Sequence, residues 1–290
     1  MTVPARILVV VLLVAAGHAR ADDAPVPRRG HGEVGVVVSG FTSRAAYDDD
    51  GVGIVDPEVD LRARTLAGAV RVGIGERLAL QAGVPLVMAA ALHEQGPVVV
   101  SGVGDATVGL ALSVFDEGPV QLAIRGDVKL PLYAGQPAIQ GRQPLLRSAT
   151  TPGALPAIGD GQVDVSVGGV LFARFPFGGA FTWEQAYRLR TGGVTDGVVG
   201  RGRIAVPALG GWLVPRWDHA FLFSFDPTRD DDGVATEIVG RSLVETGPGM
   251  AVPLDALTPG LRLEAGAAFL FRGRNAAGGV RLDVGVVHAF

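Results

Sequence analysis

The sequence predicts an all-β chain: an antiparallel up-and-down transmembrane β-barrel of about 12 strands. Three observations carry this reading. Long segments alternate with period two, apolar on one side and polar or charged on the other. The chain holds 43 glycines and is 48% hydrophobic with a mean hydropathy of +0.35. Past the N-terminus, however, Arg, Asp or Glu interrupts every apolar run before it reaches the roughly 20 residues a membrane helix needs. Finally, short and long connections alternate along the chain, the asymmetry of a barrel with tight turns at one end and loops at the other.

Strands are expected at 32–41, 58–73, 77–88, 105–115, 120–131, 161–175, 180–190, 201–214, 219–226, 234–252, 260–272 and 279–290. The segment Val120 to Leu130 shows the logic. Val120, Leu122, Ile124, Val128 and Leu130 share one face, and Gln121, Arg125, Asp127 and Lys129 share the other. A helix would spread those charges around its circumference, whereas a strand collects them on one side. Phe181 to Arg190, Leu261 to Arg272 and Val280 to Phe290 repeat the pattern, while 58–73 and 234–252 leave room for a bulge or register break. Tight turns are expected at Gly73 to Glu76, Asp116 to Pro119, Pro176 to Gly179, Pro215 to Asp218 and Asp255 to Gly260, where Gly, Pro and Asp supply turn conformations. Longer connections fall at 42–57, 89–104, 132–160, 191–200 and 227–233, with a short one at 273–278. An even strand count places both ends of the barrel on one side. A soluble β-sandwich also alternates, but strands of 10 or more residues, with charge confined to one face, favour the barrel.

The N-terminus has the form of a secretory signal peptide, residues 1–21. Arg6 precedes an apolar run from Ile7 to Ala16, and Ala19-Arg20-Ala21 gives the small-x-small cleavage pattern before Asp22. The run is too short to span a membrane as a helix. The barrel domain is then 22–290, exported to the bacterial outer membrane. With no cysteine, disulfides and thiolate metal sites are excluded. Removing Arg6 and Arg20 leaves 23 basic residues against 29 acidic ones. That balance argues against a nucleic-acid partner.

The polar faces carry the candidate chemistry. The phasing aims Asp60, Arg62, Arg64, Arg125, Asp127, Lys129, Asp164, Arg174, Glu184, Arg188, Arg190, Arg201 and Arg203 into the lumen. Glu237, Arg241, Glu245, Arg262, Glu264, Arg272, Arg281 and Asp283 join them. Two readings stand side by side. In one, an Arg-biased pore passes small polar or anionic solutes, because fixed charges set selectivity. In the other, Arg–carboxylate pairs plug the lumen. The barrel is then structural or adhesive and works through loops 42–57 and 132–160. An enzyme is not expected. His31, His93, His219 and His288 are the histidines past the signal peptide, and none sits in a nucleophile–base arrangement. No cofactor or metal is expected; the runs Asp48-Asp49-Asp50 and Asp230-Asp231-Asp232 read as solvated loops without calcium-loop spacing. Trp183, Tyr187, Trp212, Trp217, Phe221, Phe223, Phe225, Phe269, Phe271 and Phe290 suit interfacial aromatic girdles.

The final segment Gly279 to Phe290, alternating and closing on an aromatic, resembles the C-terminal strand of bacterial outer-membrane barrels. The resemblance implies that the barrel-assembly machinery reads this strand with Phe290 as its signal, and that outer-membrane lipid and lipopolysaccharide surround the wall. Gly104-Asp105-Ala106-Thr107-Val108-Gly109-Leu110 and Gly159-Asp160-Gly161-Gln162-Val163 look like the strand starts of barrels related to proposed transporters of the phenol-degradation meta pathway. That resemblance implies a transport-type barrel and transfers no binding residue.

Overall fold

The computed structural model describes residues 24–47, 53–55, 60–93, 96–132, 163–191, 195–225, 242–274 and 276–290. Their strands are β1 (Gly32–Tyr47), β2 (Gly53–Val55), β3 (Asp60–Gly73), β4 (Leu78–His93), β5 (Gly96–Val103), β6 (Ala106–Glu117) and β7 (Val120–Leu130). They continue with β8 (Asp164–Arg174), β9 (Ala180–Arg190), β10 (Gly197–Ala205), β11 (Val214–Ser224), β12 (Ser242–Pro253), β13 (Leu261–Arg274) and β14 (Ala276–Ala289). Every pairing between strands is antiparallel, and β14 returns to β1. The sheet therefore closes.

Two of the fourteen strands are extensions. β2 pairs only with the far end of β1, and β5 only with the far end of β4. β5 and β6 follow one another along β4, offset by one residue at the break Gly104–Asp105. Twelve staves remain, which is the closed barrel the alternation predicts. Closure satisfies the backbone groups that an open edge would leave bare in lipid. At the seam, Gly32 and Phe290 exchange N–H to O bonds of 2.9 Å in both directions.

Residues directly opposite in antiparallel strands point to the same face, so the register fixes the two walls. Val38, Leu86, Met88, Leu110, Ile124, Val167, Leu189, Leu282 and Val284 are exposed and lie outward. Trp183, Tyr187, Trp217, Phe221, Phe223, Phe225 and Phe269 occupy outward positions as well. Trp183 stacks on His219 with ring centres 6.4 Å apart, and Tyr187 meets Phe225 at 5.8 Å. No described helix is long and apolar enough to cross a membrane; these strands supply the apolar surface.

The structure departs from the sequence reading at several connections; among them, those expected at 191–200 and 273–278 are partly strand, within β10, β13 and β14. The connections expected at 42–57 and 89–104 are partly strand, because β1 and β4 run on to Tyr47 and His93 and pair with β2 and β5. The turn expected at Pro215 to Asp218 is strand β11. The chain reverses earlier, through apolar residues: Ala208 and Leu213 bridge, and Gly210 and Gly211 adopt φ of +67° and +93° between them. Positive φ is cheap only for glycine, and Gly210-Gly211 is the turn signal inside what otherwise looks like a continuing strand. Trp212, placed in a girdle from sequence, sits on that turn with 80% of its surface exposed.

The N-terminal stretch Ala24 to Pro27 enters the barrel. Val26 packs with Ala79, Ala111, Ala123 and Val170, inward residues of β4, β6, β7 and β8. Gln121 holds it from both sides, accepting from Val26 N at 3.0 Å and donating to Val26 O at 3.3 Å. The chain then passes under the short-turn rim beside Gly73, where a Cβ would collide with Pro27 and Arg28 backbone.

Candidate functional site

Alternation leaves the inner wall with the charges. Its inward strand positions carry Arg71, Arg125, Lys129, Arg188, Arg190, Arg201, Arg203, Arg216, Arg262 and Arg281. They also carry Glu33, Asp127, Asp164, Glu184, Asp218, Glu245, Glu264 and Asp283. With Arg174 and Asp116 near the short turns, that is eleven cations against nine carboxylates, a bias of two positive charges among the described strand residues. Arg174 takes an inward register position at the short-turn end of β8, with its guanidinium 5.6 Å from the Phe172 ring centre.

These groups connect into a belt. Glu33 on β1 accepts from Arg71 of β3 at 2.7 Å and from Arg262 of β13 at 3.0 Å. Arg262 also donates to Glu264 at 2.7 Å, and Glu264 accepts from Arg216 of β11 at 2.5 Å. Arg216 and Arg203 of β10 grip the two oxygens of Asp218 at 2.9 and 2.6 Å. Two residues along β10, Arg201 lies 3.5 Å from Glu184 of β9. Glu184 accepts from Arg125 of β7 at 2.7 Å, and Arg125 donates to Asp127 at 2.6 Å. Gln81 of β4 donates to Asp127, and Gln81 is the cross-strand partner of Arg71. By register, though not by a bond, the row thus comes back beside Arg71.

Toward the long-loop end two further clusters stand on the wall. Lys129 lies 2.7 Å from Asp164, whose side chain is only 1% exposed, with Arg190 on its other oxygen at 3.7 Å. Arg281 joins Glu245 at 2.7 Å and Asp283 at 3.1 Å.

Every one of these pairs links groups on the same stave, on neighbouring staves or two staves apart. None crosses the lumen. Two of the pairs that skip a stave lie flat over glycine: Asp127 folds across Gly109, and Arg216 across Gly249, where a Cβ would stand 2.7 Å from Arg216 Nε. Charges held along a wall satisfy one another and still face whatever fills the barrel.

Of the lumen residues expected from sequence, Arg125, Asp127, Lys129, Asp164, Glu184, Arg188, Arg190, Arg201 and Arg203 occupy inward positions. So do Glu245, Arg262, Glu264, Arg281 and Asp283. Arg62 and Arg64 do not. They pair with Thr42 and Gly40 of β1 and with Ala90 and Met88 of β4, sharing a face with exposed Val38 and Leu86. The strand is fixed the other way round by Arg71, which faces inward to Glu33. Seven residues separate Arg64 from Arg71, an odd number, so they point to opposite faces. The side chains of Asp60 and Arg272 lie outside the described residues, as do Glu237 and Arg241. The same holds for the signal peptide, the side chains of His93 and Phe271, both acidic runs and most of 132–160.

Glu33, Arg71, Gln81, Arg216 and Asp218 belong to the belt and were not singled out from sequence. Glu33 is a lone charge beside the apolar run Val34 to Val38, and Arg71 has the opposite parity to the other charges of its strand. Pro215 suggests a turn at Arg216 and Asp218, although Trp217, His219, Phe221 and Phe223 mark the opposite, outward phase of one strand. His219 lies on that outward face, and His288 takes an outward register position near the seam beside Phe290, with ring centres 6.4 Å apart. Among the described residues no group of three metal-ligating side chains gathers.

A closed barrel with an apolar outside and a charge-lined inside has the architecture of a β-barrel that spans a membrane. Known structures of that kind match it. An outer membrane channel from Pseudomonas putida F1 aligns with a TM-score of 0.63 at 15% identity, covering 94% of this chain and all of that one. The translocator domain of the autotransporter NalP from Neisseria meningitidis aligns at 0.47, with 11% identity over 89% and 88% of the two chains. CymD, a monoaromatic hydrocarbon channel, aligns at 0.42, with 11% identity over 91% and 89%. At these identities the likeness is one of fold. No family model matches the sequence, and no curated protein matches it.

Proposed function

We propose that this chain is an outer-membrane channel for small polar or anionic solutes, exported by cleavage of residues 1–21. The observation that carries the reading is the course of the charge belt. A plug built from ion pairs would join opposite walls, whereas this lattice follows the circumference and leaves its Arg-biased charge facing the lumen. Fixed rings of charge select among ions by sign. The P. putida barrel of the same fold is an outer membrane channel, which supports the placement. Phe290, in phase with Val284 and Val286 at the seam, suits the part of C-terminal assembly signal.

A second reading rests on Val26. Cleavage after Ala21 would leave Ala24 to Pro27 as an N-terminal finger inside the barrel, clamped by Gln121. The finger leans on the β4–β8 sector, narrowing the lumen at the short-turn end, and a fully closed resting state is its extreme form.

Planar-bilayer recording of the refolded chain separates the two. Discrete ohmic openings with anion preference are expected, and silence across preparations would favour the closed form. Arg201, whose side chain is 67% exposed on the inner wall, is the belt cation to test. Arg201→Ser should lower anion preference as a shift of reversal potential in a salt gradient. An unchanged potential would remove Arg201 from the solute path.

A further inference from the structure

The outer wall is nearly free of charge, with one local exception. Among the described strand side chains, Arg62 and Arg64 on β3 are its only charged members apart from Glu117, which stands at the β6–β7 turn. Both arginines are exposed.

Their height on the wall is informative. A strand rises about 3.4 Å per residue, and at a tilt of about 40° that gives about 2.6 Å of height. Arg64 lies nine residues and Arg62 eleven residues from Gly73 at the short-turn rim. They stand about 23 and 29 Å above it, bracketing the upper edge of an apolar band about 25 Å tall. On β4 the outward positions stay apolar from Leu78 through Ala90, the partner of Arg62, with exposed Val99 of β5 beside it; the change to a polar residue comes on β1. On β1 they are Val34, Val36, Val38 and Gly40 before polar Thr42, the partner of Arg62. Ser101 of β5, opposite Met88, is also outward and exposed.

A guanidinium deep in the apolar band is strongly unfavourable, and the penalty fades toward the interface. At the band's edge its fork geometry matches phosphate oxygens. The end concerned is the one with the long connections, which faces outward in an outer-membrane barrel. We infer that Arg62 and Arg64 form a docking site on the outer wall for the phosphate groups of a phosphorylated glycolipid of the outer leaflet. Thr42 and Ser101 supply hydroxyls on either side, and Met88 and Leu66 receive the upper acyl carbons. The inference rests on the outer-membrane placement proposed above. It assigns these arginines to the lipid and not to the solute path.

The test uses the full barrel in phosphatidylcholine nanodiscs, with diphosphoryl lipid A as the probe and native mass spectrometry as the readout. Wild type should retain lipid A, and Arg62→Ser/Arg64→Ser should retain at least tenfold less. Arg62→Lys/Arg64→Lys should fall between them, keeping charge but losing the fork. Equal retention by the serine variant would overturn the site, as would displacement of lipid A by equimolar pyrophosphate. Bilayer recording of the serine variant should show the wild-type reversal potential; a shift would place the guanidiniums in the lumen and overturn the assignment. A wild-type barrel silent in bilayers that still retains lipid A through these arginines removes the channel reading and supports the site.

Discussion

Strands β7 and β3 carry similar numbers of charges and use them in opposite ways. In β7, Arg125, Asp127 and Lys129 all face inward and all find carboxylate or cationic partners on β7, β8 or β9. In β3, Arg71 faces inward to Glu33, while Arg62 and Arg64 stand on the outer wall beside Met88. The difference is one of height. Through the middle of the apolar band only the inner wall tolerates charge, so every charged residue there is driven to one parity. At the upper edge the outer wall meets headgroups and tolerates charge again. A strand long enough to cross that edge can therefore carry charges on both faces without a bulge.

The largest effect that sharpens this contrast comes from the inner wall. Asp164 is almost fully enclosed between Lys129 and Arg190. Removing one member of an enclosed ionic cluster is destabilising by about 3–5 kcal/mol. Asp164→Ala should lower stability by that amount in urea unfolding from lipid vesicles, read by the loss of heat-modifiable electrophoretic mobility. A loss below about 1 kcal/mol would mean that water reaches the cluster freely and that it is a surface pair in effect.

The same contrast explains what was legible in the sequence. The closed barrel follows from alternation, turn placement and an even strand count, because each depends on local chemistry repeated along the chain. In β7, β9 and β14 several charges share one parity, and their face is plain. In β3 the two arginines near the long-loop end outnumber the single one beside the short-turn rim, so the local pattern points to the wrong parity and hides Arg71. Glu33 is hidden for a related reason: one charge in Gly-Glu-Val-Gly-Val-Val-Val defines no pattern. Arg216 and Asp218 were hidden by Pro215, which suggests a turn, while the actual turn is built from Leu209, Gly210, Gly211 and Trp212. The belt that joins these residues links staves far apart in sequence, and no local period encodes it.

Glycine provides an intermediate test of the two walls. Gly109 faces inward under Asp127, and an added Cβ would meet that carboxylate and the Gly126 carbonyl, the latter at 2.7 Å. Gly40 faces outward, and a Cβ there meets nothing within 4 Å. Gly109→Val should destabilise by about 1–3 kcal/mol, the usual range for forcing volume into a packed site. It should also shift ion selectivity, because Asp127 must leave its place between Arg125 and Gln81. Gly40→Val should be neutral or stabilise slightly, since a β-branched side chain suits a strand and lipid accepts it. Equal losses at both positions would show that the lattice does not depend on flat glycine seats.

The smallest effect expected is at Arg64, and it decides the argument about height. If the guanidinium stood in the middle of the apolar band, replacing it with leucine would relieve about 2–4 kcal/mol of unfavourable transfer and raise stability strongly. If it pointed into the lumen, the same change would place leucine among the belt charges and alter ion selectivity. At the band's upper edge the transfer penalty is about 0–1 kcal/mol, and phosphate contacts offset part of it. Arg64→Leu should therefore change stability by less than about 1 kcal/mol in phosphatidylcholine. Adding lipid A should stabilise wild type more than the variant, with conductance the same in both. A small effect in plain lipid that becomes lipid A-dependent belongs to neither the mid-plane nor the lumen, and only the edge position accounts for it.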